Sequence, residues 1–264
     1  SVTGADAVTL SATGSGENTI LAEGGAESKK SGSTAVGGGV AIAVVDQSTE
    51  AAIGIGDTLE TTGSLSLSAI HHGKTETTAT GKSTGSTAVG ASVAVGIVTD
   101  AARSSLSRDL HVAGDVSLDA HGDGASLTNA TASATGVKKS AGSSANSQES
   151  AATSRGNQAA GGTGSSGKTA TGKASKGGSD VSVAAAIAVN VQTSAATATI
   201  DGALMVDATG TVAVRSSNNT DSAAQGDGSA STTSQSDAVG VGVAVNVVDM
   251  DNEARIMAGT DVSA

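Results

Sequence analysis

A short segment in which valine alternates with alanine or glycine recurs four times in this chain, with first valines at Val36, Val89, Val183 and Val239. The chain contains no Phe, Tyr, Trp, Pro or Cys. Aromatic side chains normally make the largest single contributions to a globular core. A repetitive chain with only small aliphatic side chains is therefore predicted to stack thin layers into an elongated array.

The spacing of these segments defines the repeat. They are separated by 53, 94 and 56 residues, which indicates a unit of about 53 residues with one enlarged member. Both ends of the chain fall at nearly the same phase, so we expect a window of a longer array or a subunit that stacks head to tail. The predicted division is the end of a preceding repeat at 1–35, repeats at 36–88, 89–136 and 177–238, an insertion or degenerate coil at 137–176, and the start of a further repeat at 239–264.

Residue order within a unit predicts strands and turns. β-branched residues alternate with period two between clusters of Gly, Asn and Asp, and no stretch has helical apolar spacing. We predict an all-β fold, an elongated β-solenoid resembling a parallel β-helix, with polar corners at 46–49 and 249–252, glycine corners at Gly63, Gly114 and Gly210, and a polar loop at 71–74. An antiparallel meander or stacked sheets, with hairpins at the two polar corners, is the alternative.

The valine-rich segments have no polar face. Val89, Val93 and Val95 alternate with small residues, which is typical of a strand covered on both sides. We expect the valines to form the interior, and the small residues to be covered by another part of the chain or by a neighbouring molecule. The predicted self-association face comprises Gly90, Ala94, Gly240, Gly242 and Ala244.

One polar position in these segments predicts a hydrogen-bonded ladder. Asn190 and Asn246 occupy equivalent places in two units, where stacked amide side chains can bond to one another. The other two copies have Ala43 and Gly96 there, so the ladder is expected to be short.

Charge narrows the range of partners. The net charge is −11, whereas nucleic acids and anionic membranes need a basic surface. We therefore expect no nucleic acid partner. No apolar run approaches the ~18 residues of a membrane helix, so we also expect no membrane insertion. The segment 137–176 alone is basic, at +5. It is interpreted as a solvated loop, or as a strap that clasps the acidic body of its own or a neighbouring molecule.

No residue pattern predicts catalysis, and we expect no enzyme activity. His71, His72, His111 and His121 are interpreted as surface turn residues, with no Cys to share a metal. Calcium is the least implausible ligand, at the oxygen donors Asp249, Asp251, Asn252 and Glu253. No other cofactor is expected. A second binding hypothesis is an ice- or water-ordering threonine array, suggested by Thr75, Thr77, Thr78 and Thr80.

The run 239–249, Val-Gly-Val-Gly-Val-Ala-Val-Asn-Val-Val-Asp, resembles the repeat regions of giant bacterial surface adhesins of the filamentous-haemagglutinin-like kind. The resemblance covers most of the chain outside 137–176. It implies secretion to the bacterial cell surface, a β-solenoid stalk and a role in attachment, and it carries over no binding residue.

These observations together predict an extracellular structural protein. It would be a segment of a cell-surface fibre or adhesin stalk that mediates attachment or cell–cell contact. Its predicted partners are copies of itself or neighbouring repeats of a longer chain, in lateral or head-to-tail association. A ligand-binding β-solenoid, ice-ordering or calcium-binding, is the alternative function.

Overall fold

The protein folds as stacked parallel strands. The computed structural model describes residues 5–29, 33–136, 171–175, 181–232 and 237–264. All pairings between its named strands are parallel. The predicted all-β solenoid is therefore confirmed, and the antiparallel meander is wrong.

Three sheets run along the stack. Sheet I contains β1 (Val8–Glu27), β4 (Leu65–Gly85), β7 (Val116–Gly136), β11 (Val212–Ser231) and β8 (Thr171–Ser175), in that spatial order. Sheet II contains β2 (Thr34–Ile53), β5 (Thr87–Leu106), β9 (Ser182–Ile200) and β12 (Ala238–Ile256). Sheet III contains the short strands β3 (Leu59–Thr61), β6 (Leu110–Val112), β10 (Met205–Ala208) and β13 (Asp261–Ser263).

Each coil visits sheets II, III and I in turn, as in β5, β6 and β7. Equivalent residues of successive coils are direct neighbours: Val40 pairs with Val93, Val93 with Ile187, and Ile187 with Val243. The aligned column predicted by the repeat is confirmed. Most of the basic segment 137–176 lies outside the described residues. Its described part, β8, pairs with the end of β11.

The long strands are the main departure from the predicted local structure. β2, for example, has 20 residues, or roughly 65 Å at the usual rise per residue. Typical strands have about five or six residues. The predicted polar corners at 46–49 and 249–252 and the loop at 71–74 are wrong, because these residues lie within β2, β12 and β4. The glycine corners at Gly63, Gly114 and Gly210 are confirmed, since each precedes a sheet I strand.

The interior changes character along the strands. Near sheet III, Leu and Val side chains form an aliphatic core that includes Leu65, Leu67, Leu110 and Leu118. At the far end of the long strands, sheets I and II enclose mostly small side chains, chiefly alanines such as Ala94 and Ala188. The coil is thus a wedge, broad at sheet III and thin at the opposite end.

Glycines bring the two long sheets into backbone contact in the thin half. A Cβ at Gly81 would overlap the carbonyl oxygen of Ala91, and a Cβ at Gly90 would overlap that of Ser133. Ordinary face-to-face sheets lie ~10 Å apart, with interdigitated side chains between them. The thin half has no room for valine, and its larger side chains point outwards.

Candidate functional site

The outward face of sheet II carries an unusual concentration of exposed aliphatic side chains. Outward positions in the thin half of β2, β5, β9 and β12 form an array of four strands by five residues. Seventeen of the twenty are Val or Ile, and the others are Gly38, Ala91 and Ala185. We call this array the valine face; its Val and Ile residues are Val36, Val40, Ile42, Val44, Val89, Val93, Val95, Ile97, Val183, Ile187, Val189, Val191, Val239, Val241, Val243, Val245 and Val247.

The valine face is open to solvent. Val44 of the first coil is 72% exposed, and Val243 of the last coil is still 41% exposed. The expectation that the valines form the interior is therefore wrong. The valines point outwards because the two sheets are in backbone contact in this half, which leaves room only for Gly, Ala, Ser and similar residues between them.

The small-residue face lies inside the solenoid. Ala94 is fully buried, and a side chain at Gly90 would meet sheet I of the same chain. Gly240, Gly242 and Ala244 have the same inward orientation in the last coil and are half-buried. The expected cover is thus supplied by another part of the chain. The structure gives no support to these five residues as a self-association face, because they point into the molecule.

A polar column crosses the interior between the aliphatic core and the thin half. Asn190 accepts hydrogen bonds from Ser126 (2.7 Å) and Thr128 (2.9 Å), and its amide donates to Ser222 (2.7 Å) and Asn246 (3.0 Å). The predicted Asn190–Asn246 ladder is confirmed. It ends where Gly96 pairs with Asn190 in the next coil.

We expect Asn190→Ala to lower the free energy of unfolding by at least about 2 kcal/mol, because the substitution leaves several buried polar groups without their partner. Urea denaturation followed by circular dichroism measures this change. The matched control is Asn219→Ala, on the exposed face of β11, where we expect a change within about 0.5 kcal/mol. Equal losses in the two variants would contradict a structural role for the ladder.

The same interior contains a hydroxyl, an imidazole and a carboxylate in series. Thr49 Oγ1 lies 3.0 Å from Nδ1 of His71, and His71 Nε2 lies 3.2 Å from Oδ1 of Asp100. Because a carboxylate only accepts, the ring donates a hydrogen bond from Nε2 to Asp100, and its Nδ1 accepts a hydrogen bond from the hydroxyl of Thr49. Burial raises the pKa of Asp100, while the hydrogen bond from His71 opposes that rise.

This order of groups matches that of a hydrolytic triad, but its surroundings do not. Thr49, His71 and Asp100 are at most 7% exposed and lie enclosed between sheets I and II, where a substrate has no access. The three residues belong to β2, β4 and β5, so the series joins sheet I to sheet II and one coil to the next. The interpretation of His71 as a surface residue is wrong. Sequence reasoning missed this triplet, although the unbroken period-two alternation through β2 and β4 could have revealed its inward position.

The other histidines lie on outward faces, as expected, but within strands β4, β6 and β7, so their assignment to turns is wrong. His72 contacts Asp123 (3.2 Å), His111 contacts Asp207 (2.9 Å) and His121 contacts Ser217 (2.6 Å). Each pair joins adjacent strands of one sheet. Within the described ranges, no three His, Cys, Asp or Glu side chains converge closely enough to hold a metal ion.

The calcium candidate lies along an extended strand. Asp249, Asp251 and Glu253 occupy outward positions of β12, whereas Asn252 points to the opposite face. Glu253 pairs with Arg255 at 2.6 Å. Calcium sites wrap oxygen ligands around the ion, and a straight strand does not bring these four side chains together.

The threonines proposed as a water-ordering array are not on a common exposed face. Thr75, Thr77 and Thr80 are at most 3% exposed. Thr75 and Thr77 face the interior of β4, while Thr78 and Thr80 alternate to its other side. A flat ice-binding surface built from these residues is therefore excluded.

A shallow groove of about 410 Å³ lies on the outward face of sheet I. Glu17 and Lys74 form an ion pair across it at 2.8 Å, which lowers the pKa of Glu17 and raises that of Lys74. His72 and Asp123 also line it. Asp221 lines it too, and Lys74 is already paired with Glu17, so the described lining offers no unpaired cation to an anionic ligand.

Comparison with known proteins does not identify the chain. No family model, curated protein or solved structure matches it. None of the described residues belongs to a helix with the length and apolarity to span a bilayer. The valine face is therefore the feature on which a functional interpretation rests.

Proposed function

We propose that this chain is a structural, extracellular β-solenoid, a segment of a bacterial cell-surface fibre or adhesin. Its role is mechanical and associative, not catalytic. The observation that carries the proposal is the valine face, an exposed apolar surface on a stack of coils in register.

The shape of the coil favours lateral contact over reach. Successive parallel strands lie ~4.8 Å apart, so a coil of about 53 residues adds only that length along the axis. The same coil spans roughly 65 Å across its long strands. Such a solenoid is wide compared with its rise per coil, and its broad faces are available for contact with neighbouring molecules.

We expect those faces to be stiff because hydrogen bonds connect the strands both along the stack and across the interior. Hydrogen bonds join each coil to the next, and internal side-chain bonds such as Ser194 to Asn218 (2.9 Å) join the two long sheets. The net charge of −11 keeps such a surface soluble and disfavours nucleic acid and anionic lipid as partners. These properties suit a fibre component whose surface contacts other fibres or cells.

Immunogold electron microscopy of the native source tests the location. We expect an antibody raised against this chain to label surface filaments on intact cells. Permeabilised cells and an antibody to a cytoplasmic protein serve as controls. Labelling that requires permeabilisation would refute the extracellular role.

A further inference from the structure

We infer that the valine face binds the valine face of a second copy of this chain, with the strands of the two copies antiparallel and their solenoid axes parallel. This inference rests on the proposed structural role and names its partner. It assigns association to a surface opposite to the one that the sequence predicted.

The valine face is confined to one half of sheet II. At the next outward positions the four strands carry Asp46, Thr99, Thr193 and Asp249. A sheet face that only meets water carries polar residues along its whole length. The sharp change within the same strands indicates a surface selected for a dry contact.

The size of the valine face fits a pair. Four strands at ~4.8 Å spacing and five outward residues at ~6.6 Å spacing give a footprint of roughly 600 Å². Two such faces would bury roughly 1,200 Å² in total, the lower bound of stable interfaces. A monomer's largest apolar patch reaches about 600 Å² only at its upper limit.

A second copy is the occupant that matches this surface best. The columns of Val and Ile repeat at the strand spacing, and only another array with that period can interdigitate along its whole length. Two-fold pairing places the same face on both partners. With parallel solenoid axes, the contact extends as coils are added.

Charge decides between the two ways of pairing. The polar half of the face has outward acids at Asp46, Glu50, Asp249, Asp251 and Glu253, and bases at Arg103 and Arg255. Its net charge is −3. A two-fold axis along the strands would place the two acidic halves against each other, and their mutual repulsion would disfavour the pair. A two-fold axis along the solenoid overlaps the apolar halves and sends the acidic halves to opposite sides.

Sedimentation equilibrium of the wild-type chain and two variants tests the contact. Ile187→Lys and Val245→Lys each place a charge in the interface twice, once per copy. We expect each to raise the dimer dissociation constant by at least about 100-fold. The control Thr193→Lys, on the same face of β9 but in the polar half, should leave association within about threefold of wild type. Hydrogen exchange of β5 and β9 checks that all variants keep the fold.

Spin labels test the orientation. The chain has no cysteine, so Thr193→Cys provides a single labelling site. Six residues separate position 193 from the centre of the valine face, which predicts a label separation of about 40 Å in the proposed pair and about 10 Å in the alternative pair. A distance near 10 Å would overturn the proposal.

Two other outcomes would also overturn it. One is a wild-type chain that stays monomeric up to millimolar concentration, and the other is association that Ile187→Lys and Val245→Lys leave unchanged. Either result leaves the surface location intact, because immunogold labelling tests that independently.

Discussion

Gly90→Val is expected to prevent the thin half of the solenoid from closing. A Cβ at this position would overlap the carbonyl oxygen of Ser133, and the carbonyl of Gly81 lies just beyond it. Both obstacles are backbone atoms held by strand pairing, so they cannot rotate away. Overpacking a core typically costs 1–3 kcal/mol, and an obstacle made of backbone places this variant at about 3 kcal/mol or more.

The adjacent residue supplies the matched control. Ala91 is exposed on the valine face of the same strand, and it occupies the same column as Val241. Ala91→Val introduces the same side chain one residue away, and we expect stability within about 0.5 kcal/mol of wild type. Urea denaturation by circular dichroism compares the two variants. A Gly90→Val protein as stable as Ala91→Val would contradict backbone contact between sheets I and II.

Repetition made the architecture predictable. The spacing of four valine-rich segments was sufficient to align Val40, Val93, Ile187 and Val243 in one column. It also placed Asn190 beside Asn246. Both predictions depend on the period alone, because identical residues one period apart become neighbours in any parallel solenoid.

The side of the sheet that faces inwards could not be predicted from burial preference. Valine is among the residues most often buried, and its side chain contributes more apolar surface to a core than the side chain of alanine does. That preference assumes a gap wide enough for side chains. The gap is set by the opposite strand, where Ala79 and Gly81 of β4 leave backbone facing backbone. Only the pairing of two small-residue faces across the coil reveals that the valines must point out.

The polar clusters predicted as corners lie within strands for a related reason. Asp, Asn, Ser and Gly are turn residues when their side chains satisfy local backbone groups. Here His71, in the predicted loop at 71–74, instead bonds to Asp100 across the interior. Asp249 simply lies on the solvent side of β12. The strands therefore run straight through the two predicted polar corners and the predicted loop, and the candidate association surface is the valine face instead of the small-residue face.

The broad end of the wedge should be the most sensitive to loss of volume. Leu118 is fully buried in the aliphatic core and pairs with Leu67 of one neighbouring coil and Val214 of the other. We expect Leu118→Ala to cost about 3–4 kcal/mol, since the rigid walls of three sheets limit collapse around the cavity. Leu21→Ala, on the same sheet but 60% exposed, is the control and should change stability by less than about 0.5 kcal/mol. If the two variants have the same urea midpoint, the aliphatic core does not hold the coils together.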